Sequence, residues 1–195
     1  MLTRLAKYMV FFLVKQKAID KEDTLVYIYG TEVLLSTIFN MLIILGIAFY
    51  TGNYAQILFF IVPFLFLRMT IGGYHAKTHI GCAMLMTITI LTYIYLVRYM
   101  QLYFNAYLTL FSVIISFVLM YKFTPVEHPN KRLLPEDYAR AKKNTIIVCS
   151  VLIGFMTYFV IAREVYLLIY MSLGVISSAV AMLIGKVAYT KTPIK

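Results

Sequence analysis

Arg68-Met69-Thr70-Ile71-Gly72-Gly73-Tyr74-His75-Ala76-Lys77-Thr78-His79-Ile80-Gly81-Cys82 is the polar, glycine-bearing passage between two strongly apolar runs in the first half of the chain. As one continuous helix it would hold His75 and Cys82 a rise of roughly 10 Å apart, whereas an imidazole takes a proton from a thiol at roughly 3 Å. Either the two do not act together or the chain bends here. Gly72, Gly73 and Gly81 supply the backbone freedom for a bend. The apolar run from Ala83 then predicts that Cys82 opens the next helix, where the positive end of the helix dipole and a nearby His favour the thiolate.

The runs on either side of this passage set the class of protein. Of 195 residues 62% are apolar, and mean hydropathy is +0.84. Soluble domains usually hold about 45–50% apolar residues, so the sequence describes an all-α integral membrane protein. The net charge of +10 does not point to nucleic acid, because the cations lie between apolar runs rather than along one face. The cysteines, Cys82 and Cys149, are only two, and Cys149 sits within an apolar run, so no disulfide framework is indicated.

Six hydrophobic segments are expected: Leu25 to Tyr50, Tyr54 to Leu67, Ala83 to Val97, Phe104 to Tyr121, Thr145 to Ala162 and Val165 to Gly185. Residues 1–23 precede them as a separate element. There Leu2, Leu5, Met9 and Phe12 recur at helical spacing while Arg4, Lys7 and Lys15 take other faces, the pattern of an amphipathic helix lying in the membrane interface. Residues 24–195 form the polytopic domain. With the N-terminus inside, all of the 18 Lys and Arg except Arg98 and Arg163 fall in cytoplasmic connectors or termini. That imbalance predicts an N-in, C-in topology with the His75/Cys82 turn at the cytoplasmic face, where thiols stay reduced.

Three details refine this picture. The second segment, with Pro63 inside it, spans only about 21 Å as a helix against a hydrocarbon core of about 30 Å. Unless Met69 to Ile71 extend it, the turn lies below the headgroups in a shielded cleft. Glu32 is the only carboxylate inside a hydrophobic segment, with Ser36 and Asn40 on the same face at successive turns; it is a candidate partner for His75, or simply a neutralised or packed side chain. Residues 123–144 form the basic cytoplasmic loop, with Lys131, Arg132, Arg140, Lys142 and Lys143. Helix is expected to resume at Pro135, followed by Glu136 and Asp137. Gly174, Ser177, Ser178 and Ala181 share a face suited to close packing.

The His75/Cys82 block admits several chemistries. Cys82 can be a small buried hydrophobe with the histidines as interface anchors. His75, His79 and Cys82 have the i, i+4, i+7 spacing of metal ligands on a helix, a metal-dependent hydrolase, but the set is incomplete and the glycines oppose a rigid helix. A non-enzymatic small transporter or export component is the alternative of another class, though no paired broken helices are visible. The reading adopted is nucleophilic catalysis without metal or other cofactor. In it Cys82 attacks a peptide carbonyl, His75 serves as base and then acid, and Arg68 or amides near Gly72 and Gly73 hold the oxyanion. The resulting thioester keeps its acyl group activated, so a nucleophile within the substrate can close a ring in a water-poor cleft.

Arg68, three residues, Gly72-Gly73-Tyr74-His75-Ala76 and then Cys82 resemble the signature of the AgrB family, accessory gene regulator protein B, membrane cysteine endopeptidases that mature quorum-sensing propeptides. The likeness continues in the basic N-terminal helix, in Tyr29-Gly30-Thr31-Glu32 and in the proline-containing basic loop. The resemblance implies His75 and Cys82 as the catalytic pair, with Arg68, Gly72 and Gly73 as the motif's other members. It also implies an AgrD-type propeptide as substrate, loss of its acidic C-terminal tail, a thiolactone or lactone ring as product, and a homodimer in the bacterial cell membrane. The cations from Lys131 to Lys143 are then candidates to hold that acidic tail.

Overall fold

A computed structural model of the chain describes residues 2–72, 79–100, 106–126 and 135–190. The described residues are helical apart from short connections, and no strand occurs among them. The elements are α1 (Leu2–Lys15), α2 (Thr24–Thr51), α3 (Tyr54–Ile71), α4 (His79–Met100), α5 (Ala106–Phe123), α6 (Pro135–Ile161) and α7 (Val165–Thr190), with a single 3-10 turn at Lys21–Asp23. Five of these helices are long and apolar enough to cross a membrane, and α5 carries a shorter apolar stretch, Leu108–Phe123. The six hydrophobic segments are therefore all helices.

Two boundaries differ from the expectation in ways that matter. α3 does not stop at Leu67: Met69 to Ile71 extend it to 18 residues, about 27 Å of rise. The hydroxyl of Thr70 donates to the Leu67 carbonyl at 2.9 Å, so the polar residues stay helical by returning their hydrogen bonds to the helix itself. The condition for a turn sunk below the headgroups, that these residues do not extend the helix, is thus not met, and the shortfall against the hydrocarbon core falls to about 3 Å. The basic connector is also shorter than residues 123–144. Helix resumes at Pro135, as that proline followed by Glu136 and Asp137 suggests, but it then runs without a break into the fifth hydrophobic segment as α6.

The chain divides into two compact units, Met1–Thr51 with Lys77–Ile88, and Gly52–Ala76 with Thr89–Lys195. In the first, α1 packs on α2. Ala6 and Val10, one turn apart, are fully buried, while Leu5, Met9 and Phe12, the apolar set read as lying in the membrane interface, are exposed. α1 is amphipathic as its pattern indicates, but small side chains make its protein contact and large ones point away. That division suits a helix in lipid, where close backbone approach drives association and bulky apolar groups lose nothing by facing hydrocarbon. On α2 the less exposed positions recur every fourth residue through Glu32, Ser36, Asn40, Ile44 and Ala48, the last two buried.

The second unit is built round α7. From Leu168 to Ala179 every residue except Ile176 is buried, as expected of a helix enclosed on all sides. α3, α5 and α6 pack against it. The closest approach is at Gly174, where an added Cβ would overlap the Phe60 carbonyl oxygen and lie 2.9 Å from Pro63 Cγ. Hydroxyls in α7 are satisfied within the unit: Ser178 donates to the carbonyls of Gly174 (3.0 Å) and Phe64 (3.2 Å), and Ser177 to the Tyr93 hydroxyl at 3.1 Å. The small-residue face read from the sequence is this contact.

Candidate functional site

The nucleophile candidate lies in the first unit. α4 is described from His79, ahead of the expected start at Cys82, and Cys82 is the fourth of its described residues. The thiol is free and partly buried. Asn40, from the middle of α2, donates its Nδ2–H to Cys82 Sγ at 3.7 Å. The other end of the same amide, Oδ1, is shut from solvent without a hydrogen-bond partner among the described residues. Glu32 and Ser36 stand on the same face of α2, two turns and one turn before Asn40, and are partly buried.

This pairing brings together residues 42 positions apart. The sequence places Asn40 on the polar face of α2 but gives it no chemical role, because nothing local ties it to Cys82. The available signal is an amide inside an apolar span, which costs free energy unless it is bonded.

Of the other motif residues, Arg68 and Gly72 are described, and both lie in the second unit. Arg68 occupies the last turn of α3, partly buried, with Nη1 shielded from solvent. Gly72 caps that helix with φ +71°, and its N–H donates to the Arg68 carbonyl at 3.2 Å. Immediately beyond, Val126 N–H donates to the Ile71 carbonyl at 3.0 Å, and a Cβ on Gly72 would lie 2.9 Å from the Val126 oxygen. The positive φ and this close approach are both reasons for glycine at 72. They give it a structural duty, and its amide is already engaged in the cap.

His75, Gly73, Lys131 and Arg132 lie outside the described residues, as does the side chain of His79. Among the described residues no three His, Cys, Asp or Glu side chains converge as metal ligands would. Arg140, Lys142 and Lys143 are exposed on the first turns of α6. Lys142 Nζ lies 6.0 Å from the Tyr121 ring centre, and Lys122 and Lys186 lie 5.6 and 3.8 Å from that of Phe123. Within this unit the end of α3 that carries Arg68 and Gly72 is tied to the chain just past α5, beside these cations. Cys149, by contrast, packs on α6 against the apolar core formed by Leu152, Met156, Val175 and their neighbours.

Comparison with known proteins adds the following. The family model described as accessory gene regulator B matches residues 6–184. A protein of Clostridium acetobutylicum described as AgrB-like is 30% identical over 96 residues, 49% of this chain and 45% of that protein. Another described as AgrB-like, from Halalkalibacterium halodurans, is 26% identical over 152 residues, 78% of this chain and 75% of that protein. The match therefore spans less than half of the clostridial relative. No solved structure matches the chain at a significant level.

Proposed function

The chain belongs to the accessory gene regulator B (AgrB) family, and from that premise we propose that it is a multi-pass membrane cysteine endopeptidase that cleaves the C-terminal tail from an AgrD-type propeptide. The observation that carries the reading is Cys82 itself, on α4 with an amide donor against its sulfur, at the position the motif Arg68, Gly72-Gly73-Tyr74-His75-Ala76 and Cys82 assigns to the nucleophile. Cys149 is packed into a core and offers no such setting.

In the proposed reaction His75 removes the Cys82 proton, and the sulfur adds to the scissile carbonyl. The tetrahedral intermediate collapses to a thioester as His75 returns the proton to the departing amine of the tail. Arg68 and the Gly73 amide are the motif's candidates to hold the oxyanion, since Gly72 N–H is occupied. The thioester then passes its acyl group to a thiol or hydroxyl of the same substrate, giving a cyclic thiolactone or lactone for quorum sensing. Glu32 is the candidate to orient His75. The protein is placed N-in and C-in in the bacterial cytoplasmic membrane as a homodimer, with the reaction centre on the cytoplasmic side and α1 in contact with lipid. Arg140, Lys142 and Lys143, with Lys131 and Arg132, receive the acidic tail.

Co-expression with an AgrD-type propeptide tests this. Cys82→Ala and His75→Ala abolish cleavage, and Cys149→Ala retains it. Persistent cleavage by Cys82→Ala would overturn the assignment.

A further inference from the structure

Asn40 is not accounted for by packing alone. It stands in the middle of α2, whose neighbouring positions are apolar, and it occupies the same face as the buried Ile44 and Ala48. Leucine there would satisfy both lipid and protein. An amide at this depth must place two N–H donors and one carbonyl, and any left bare is costly where no water reaches. In this structure one N–H points at Cys82 Sγ from 3.7 Å, and Oδ1 is enclosed without a partner among the described residues. A group so poorly served in the resting protein is placed for something that arrives later. With the sulfur ionised for attack, only the orientation that turns Nδ2–H toward it is attractive.

We propose that Asn40 is a catalytic residue whose side-chain N–H stabilises the oxyanion formed at Cys82. The proposal rests on the cysteine endopeptidase reading above. When the thiolate adds to the scissile carbonyl carbon, an S–C bond forms and the carbonyl π pair moves to oxygen. On collapse that pair re-forms C=O, the C–N bond breaks, and the amine leaves with the proton first taken from the thiol. In the intermediate the oxyanion is about 2.7 Å from the sulfur, and an effective donor stands about 2.7–3.1 Å from the oxyanion. A nitrogen 3.7 Å from the sulfur meets both requirements with no helix movement. The contact is made only as charge develops on oxygen, so it lowers the barrier without tightening substrate binding.

The test uses the full-length protein carrying Cys149→Ala, so that Cys82 is its one cysteine, reconstituted in vesicles with an AgrD-type propeptide. Asn40→Ala removes the amide, and Asn40→Leu keeps its volume while removing the donor. Both should lower kcat by about a hundredfold, as loss of one oxyanion donor does, with KM within about twofold. Alkylation of Cys82 by iodoacetamide passes through no oxyanion, and its limiting rate, at a pH high enough to ionise the thiol fully, should stay within about threefold of the parent. A merely structural role would depress alkylation and cleavage together, and that result overturns the proposal. So does cleavage by Asn40→Leu at the parent kcat. Cys82→Ala in the same vesicles separates the two levels: if it still cleaves, the endopeptidase reading has failed. If it is inactive while Asn40→Ala is unimpaired, only the donor assignment has.

Discussion

Replacing Gly174 by alanine tests the fold at its tightest point. The new Cβ would overlap the Phe60 carbonyl oxygen, approach the Phe60 carbonyl carbon to 3.2 Å and approach Pro63 Cγ to 2.9 Å. Two of these are backbone atoms and the third belongs to a ring, so no flexible side chain can swing aside. Restoring ordinary contact requires α3 and α7 to separate locally by about 1 Å, and a gap of that size forfeits a substantial part of the dispersion energy of the surrounding contacts. Overpacking of this kind costs about 1–3 kcal/mol, here at the upper end. The better helix propensity of alanine returns at most about 1 kcal/mol, so the net loss is about 2 kcal/mol or more, about thirtyfold in the folding equilibrium. The reference is Gly154→Ala on α6, where an added Cβ meets nothing within 4 Å and the same propensity gain acts alone. The assay is unfolding of the purified proteins in mixed micelles by increasing SDS mole fraction, followed by far-UV circular dichroism. Gly174→Ala should unfold well before the parent, and Gly154→Ala with it or after it. Coincident transitions for the two variants would refute the close contact between α3 and α7.

Reversing Arg140, Lys142 and Lys143 to Glu on the exposed start of α6 should raise KM for a propeptide with an acidic tail by about tenfold or more at low salt. Exposed ion pairs contribute up to about 1 kcal/mol each, and the effect should shrink as salt is added. An unchanged KM in a correctly inserted protein would count against tail binding. For topology, cysteines placed singly at Arg163 and Lys191 in a Cys82→Ala, Cys149→Ala background should react differently with an impermeant maleimide on intact cells. Position 163 should label and 191 should not; the reverse pattern would invert the orientation.

What could be read directly from the sequence was whatever depends on neighbours along the chain. Runs of apolar residues mark all six hydrophobic helices, Pro135 with Glu136 and Asp137 marks the start of α6, and the spacing of Gly174, Ser177 and Ser178 marks the face that meets α3 and Tyr93. On α1 the recurring Leu5, Met9 and Phe12 mark an apolar face for the membrane interface but do not single out the residues that touch α2. In hydrocarbon a large apolar residue gains little by leaving lipid, so Ala6 and Val10 take the protein contact. The end of α3 was left open by the sequence because Arg68 and Thr70 interrupt the apolar run; Thr70 satisfies itself on the helix, and Met69 to Ile71 continue it. The contact of Asn40 with Cys82 needed three dimensions, since the two are on different helices and no local pattern joins them.

The enclosure of α7 also bears on how the protein is made. α3 and α5 are translated well before Val165, so they can enter the bilayer without the helix they later pack against. Until residues 168–179 arrive, the surfaces that will receive them must be covered by acyl chains or insertion machinery. A nascent chain halted before that point has its spans but no means of locking them together. Maturation of the second unit is accordingly a late event, set by translation of its final helix.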